Sequence, residues 1–98
     1  MPAPHDPSRP PSEASGAAQA TERVRGQLAE IVRLVTALPP HEVRLERRWV
    51  DDLRVDSLAM VEILEGAAVH FGVRLEDEAA KQLVHVGDLV DYLLSRGA

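Results

Sequence analysis

No cysteine occurs among the 98 residues, which removes disulfide frameworks and thiolate metal sites and fits a reducing compartment. Asparagine is absent too, lysine occurs once (Lys81), and the aromatic residues are Trp49, Phe71 and Tyr92 alone. No apolar run approaches the ~18–20 residues of a membrane-spanning helix. The opening MPAPHDPSRPPSEASG has no apolar core of the kind a secretion signal needs, so a cytoplasmic protein is expected. Few residues favour strand pairing. The length suits one small domain: enough for a three- or four-helix core, too little for a large buried active-site cleft.

The formal net charge of −5 is unevenly spread. Residues 21–50 carry four acids and six arginines, whereas residues 51–78 carry eight acids against Arg54 and Arg74. An acidic centre argues against nucleic acid and anionic membrane as partners and favours a basic protein surface. A merely solvated face would look the same.

Five of the seven prolines fall in residues 1–20, where no apolar periodicity is visible. These residues read as a disordered tail, leaving 21–98 as the domain. Thr21 is a plausible N-cap. Val24, Leu28, Ile31, Val32, Val35 and Leu38 follow at helical spacing, and Pro39-Pro40 is expected to end that helix. Residues 39–56 form a long loop, anchored by Val43, Leu45, Trp49, Val50 and Leu53. A second helix is expected from Ser57 to about Phe71, with Gly72 as its stop. A short turn or helix over Asp77–Leu83 and a last helix over roughly Gly87–Ser95, burying Leu89, Val90, Leu93 and Leu94, complete the reading. The fold class is all-α: a small three- to four-helix bundle with a long loop between the first and second helices.

At about 100° per residue, the second helix puts Met60, Val61, Ile63, Leu64, Ala67 and Phe71 on a broad core side. Leu58, Glu62, Glu65 and Val69 fall in a narrow stripe opposite. Ser57 heads this helix inside DDLRVDSLAMVE. Serine is a preferred N-cap, and capping alone would account for it. A hydrolytic nucleophile fits poorly, because V-D-S-L-A lacks the G-x-S-x-G elbow and His5, His41, His70 and His85 offer no recognisable base. A calcium loop starting at Asp52 fails: its third, sixth and twelfth positions are Arg54, Ser57 and Ile63, where an acid, glycine and glutamate are needed. Histidine spacing for a metal is absent. An attachment site remains, since a reachable hydroxyl at a helix N-terminus can carry a phosphodiester favoured by the free N–H groups and the helix dipole. Cap and attachment both stay open on spacing alone.

Taken together, D52-L53-x-x-D56-S57-L58, V61-E62, F71-G72-V73 and V86-G87-D88-L89-V90-D91-Y92-L93 resemble the acyl carrier protein family over about residues 21–96. The resemblance implies a non-catalytic protein that receives 4′-phosphopantetheine from coenzyme A on Ser57, through a magnesium-dependent phosphopantetheinyl transferase. The thiol of that arm would hold acyl groups as thioesters for a ketosynthase, acyltransferase or other acyl-processing enzyme. Asp56 matches the family's acid before the serine, associated with transfer and its metal, and Glu62 matches a recurrent docking acid. With Leu58, Glu65 and Val69, Glu62 forms the expected docking stripe of a protein expected to be monomeric. Arg54 stands where many members have glycine. Ala68-Val69-His70 replaces the acidic end of the second helix common in fatty-acid carriers, and Glu76 replaces a usual proline. These departures favour polyketide or other specialised acyl assembly, antibiotic biosynthesis included, over a housekeeping fatty-acid carrier. A carrier for an amino acid or one starter acid is the alternative, although peptidyl carriers more often have histidine before the serine. A helical adaptor without the arm is the third reading, and the intact D-S-L counts against it.

Overall fold

The structure is a computed structural model that describes the backbone of residues 11–98 and the side chains of residues 16–98. Among the described residues, four α-helices and one 3-10 turn follow in order: α1 (Pro11–Thr36), the turn Pro40–Glu42, α2 (Ser57–Phe71), α3 (Asp77–Ala80) and α4 (Val86–Ser95). α1 is the hub, packing against both α2 and α4. The all-α class with its long first loop is thus observed.

α1 begins ten residues ahead of Thr21, which is therefore not its cap. Of the residues expected as a disordered tail, 11–20 are helical here, and the first ten lie outside the described residues. The signal was in the composition: Ala14, Ala17, Ala18 and Ala20 are strong helix formers even without an apolar face. The core side of α1 starts at Val24 and continues through Leu28, Ala29 and Val32, all buried, with Ile31, Val35 and Leu38 half-buried beside them. The helix ends at Thr36, ahead of Pro39. Ala37 turns to a positive φ of 67° while its N–H bonds the Arg33 carbonyl at 2.8 Å.

The loop is tied down by side chains and backbone together. Val43, Trp49, Leu53 and Val55 are buried, whereas Leu45 and Val50, expected as anchors, are exposed. Backbone pairing holds this stretch: the Trp49 N–H donates to the Val84 carbonyl, and the Val86 and Gly87 N–H groups donate to the Arg47 and Leu45 carbonyls, at 2.9–3.0 Å, so it runs along the segment entering α4. Gly87 is needed there: a Cβ would stand 3.1 Å from the Leu45 carbonyl oxygen. The Arg25 guanidinium reaches across from α1 and donates to the Val43 carbonyl at 2.9 Å.

α2 runs over the expected residues and stops at Gly72, whose φ of 65° is left-handed. Its core contribution is narrower than the helical wheel suggests. Ile63 and Ala67 are buried, and Met60, Leu64 and Phe71 are partly so. Val61 is half exposed instead of buried, because α3 is only four residues long and leaves that sector uncovered. α3 itself stops at Ala80, shorter than the Asp77–Leu83 span. α4 starts one residue early and buries Val86, Leu89, Val90 and Leu93, with Leu94 half-buried. Among the described residues no helix is long and apolar enough to cross a membrane.

Candidate functional site: the head of α2

The chain enters α2 through Asp52–Asp56. Asp52 accepts from the Arg48 N–H at 2.8 Å. That hydrogen bond, helped by the Arg48 charge, holds its carboxyl below the ordinary carboxylate value. The Leu53 N–H returns to Arg48 as well, and Val55 returns to Trp49. Arg54 sits between these bonds with φ 59°, a left-handed conformation in which a side-chain-bearing residue is uncomfortable. This explains in physical terms why glycine suits the position, and makes Arg54 the unusual choice.

Asp56 is extended, with φ −82° and ψ 175°, and is the N-cap of α2. Its Oδ1 accepts from the Ala59 N–H at 2.8 Å. Capping as an explanation of Ser57 is thereby corrected: the preceding aspartate caps, and Ser57 is the first residue inside the helix. An Asp-Ser pair offers two candidate caps, and only the backbone turn decides between them. Ser57 is exposed, and no side-chain hydrogen bond engages its hydroxyl among the described residues. The arrangement leaves one reachable hydroxyl at the positive end of a 15-residue helix, where a phosphate ester is electrostatically favoured. The site fits a covalently attached phosphodiester without strain on the core.

Leu58, Glu62, Glu65 and Val69 are all exposed, Leu58 at 70% and Val69 at 85%. They run down the α2 surface from Ser57 as one stripe. Two shallow grooves flank it. One lies between α2 and α1, where Leu34 joins Glu62, Glu65 and Val69. The other lies between α2 and α3 and is lined by Val61, Leu64, Ala68, Leu75 and Ala80. Leu34, 72% exposed, was missed in the sequence reading. Its signal was an apolar residue outside the 24-28-31-32-35 face. Among the described residues no group of three or more His, Cys, Asp or Glu side chains could hold a metal ion.

A family model described as "phosphopantetheine attachment site" matches residues 26–93. The chain belongs to the acyl carrier protein family. It is 46% identical over 72 residues to an acyl carrier protein of Acidothermus cellulolyticus, covering 74% of this chain and 86% of that one. It is 44% identical over 77 residues to an acyl carrier protein of Renibacterium salmoninarum, covering 79% and 95%. A meromycolate extension acyl carrier protein of Mycolicibacterium smegmatis is 44% identical over 72 residues, covering 74% and 73%. Among solved structures, an acyl carrier protein from Enterococcus faecalis superposes with a TM-score of 0.66 at 28% identity, covering 79% of this chain and 98% of that one. As a carrier the protein is not an enzyme, and its cofactor is 4′-phosphopantetheine covalently bound to a serine. That group supplies a thiol on a long, flexible arm, to which acyl chains are joined as thioesters.

Proposed function

We propose that Ser57 is the attachment residue and that the stripe Leu58, Glu62, Glu65 and Val69 receives the enzymes that load and process the cargo. The observation that carries the first part is one of elimination and geometry together. Ser57 is the sole serine within the matched span 26–93, and Asp56 takes the capping role that would otherwise occupy its hydroxyl. Asp56 also keeps a carboxylate beside Ser57, suited to a magnesium-dependent phosphopantetheinyl transferase. The loaded arm is then presented, in the cytoplasm and by a monomer, to a ketosynthase, acyltransferase or related enzyme.

Polyketide or other specialised acyl-chain assembly is the pathway reading. Its support is the mixed stripe, two carboxylates between exposed leucine and valine, in place of an acidic end to α2. Elongation of long fatty acyl chains is the second reading, favoured by the relatives named for meromycolate extension. The test is intact-protein mass. Incubation with a transferase and coenzyme A should add one phosphopantetheine to the wild type and none to Ser57→Ala. The protein isolated from its host should carry an oxygenated or branched acyl mass on the first reading and a long, reduced acyl mass on the second. Modification of the alanine variant would overturn the assignment.

A further inference from the structure

Resting on the Ser57 assignment, a second feature of the α2 head concerns where the arm lies. A furrow of about 320 Å³ runs between the end of α1 and the start of α2, lined by Val35, Leu38, Leu53, Arg54, Asp56 and Ala59 among others. It begins at the residue directly bonded to Ser57. Its lining is mixed, with the apolar Val35, Leu38 and Leu53 beside Thr36 and Asp56, and its one cation is Arg54.

Arg54 is exposed and makes no ion pair among the described residues. Of the other cations of the loop before α2, Arg48 is paired with Asp51 at 3.4 Å and Asp52 at 3.6 Å, and Arg47 does not line the furrow. A phosphodiester on Ser57 places a negative charge beside Asp56, and Arg54 is the cation that lines the same furrow. A guanidinium matches phosphate oxygens two at a time. The groove on the other side of α2 has acids, Glu65 and Asp77, and no cation.

We propose that Arg54 is the counter-ion of the Ser57 phosphodiester, and that it holds the phosphate end of the arm over the α1–α2 furrow, with the geminal methyl groups of the pantoyl unit against Leu38 and Leu53. The left-handed backbone at Arg54 accords with a side chain kept at a strained position for its chemistry.

The experiment uses full-length isotope-labelled protein, loaded by a transferase with coenzyme A and checked by intact mass and peptide mapping. Phosphorus-31 chemical shifts and nuclear Overhauser contacts from the arm are then recorded for the wild type, Arg54→Gln and Arg54→Gly. Gln removes the charge and keeps the backbone burden, whereas Gly removes both, so a fold defect in one variant does not remove the test. The expected result is contacts from the pantoyl methyl groups to Leu38 and Leu53 in the wild type. Both variants should lose them and share a displaced phosphorus resonance, with an unchanged mass gain. Contacts to Val61, Leu64 and Ala80 instead, or a phosphorus resonance identical in all three proteins, would overturn the inference while leaving Ser57 as the attachment residue. Absence of phosphopantetheine from Ser57 would overturn both.

Discussion

Two adjacent substitutions at the head of α2 should separate holding the helix from holding the arm. The Asp56 carboxylate accepts the Ala59 N–H at 2.8 Å at the start of α2. Replacing a capping Asp by Ala costs about 0.5–2 kcal/mol, typically ~1. Asp56 is exposed, so its charge acting on the helix dipole adds at most a few tenths of a kcal/mol at moderate salt. Asp56→Ala should therefore destabilise by about 1 kcal/mol, which lowers the thermal midpoint of a domain this size by roughly 4–8 °C. Ser57→Ala loses no hydrogen bond seen in the structure and gains about 0.5 kcal/mol of helix propensity, so its midpoint should equal or slightly exceed that of the wild type. Chemical and thermal unfolding of the unloaded proteins gives both numbers, and intact mass after transferase treatment gives loading. Ser57→Ala should be fully folded and unloadable. Asp56→Ala should be less stable and loaded slowly. If Ser57→Ala melted several degrees low while Asp56→Ala did not, the serine would be the cap and the separation of roles would fail.

Arg54→Gly should be more stable than Arg54→Ala by about 1 kcal/mol, because only glycine is at ease at φ 59°; equal midpoints would mean that the left-handed turn is absent in solution. Leu58→Ala should weaken binding to a cognate synthase mainly through faster release, since each apolar stripe residue can contribute ~1.5–3 kcal/mol if fully buried. Glu62→Arg should slow association and flatten its salt dependence, and stopped-flow kinetics at two salt concentrations tells the two effects apart. Deleting residues 1–20 should leave midpoint and loading nearly unchanged, because the buried core starts at Val24; a large drop in either would place part of that segment in the domain. The Asp88 carboxyl is held below its ordinary value of 3.8, chiefly by the His85 N–H it accepts and further by the His85 ring. A depressed folded-state value stabilises above the unfolded-state pKa and is lost as pH falls through the folded one. Acid titration of Asp88→Asn should accordingly show a shallower loss of stability below about pH 4 than the wild type.

Local chemistry determined most of α2 and α4. The Asp-Ser start, the 3.6-residue recurrence of apolar side chains and the left-handed Gly72 are all properties of a dozen consecutive residues, so they are readable without knowing what packs where. The family motif around Ser57 was equally local. Three things depended on tertiary structure. The loop from Ala37 to Asp56 has no period, and its path is set by hydrogen bonds of Leu45, Arg47 and Trp49 with Gly87, Val86 and Val84, partners far apart in sequence. Val61 has the right phase for the core, but burial needs a covering element, and α3 is too short to reach it. At the α2 head, sequence proposed a single serine as cap or attachment point. The turn forced by Val55 and Leu53 returning to Trp49 and Arg48 gave capping to Asp56, put Arg54 in a conformation its own preferences oppose, and left the Ser57 hydroxyl free. A residue's type sets what it can bond, but its backbone angles, imposed from the core, set which of those bonds it makes.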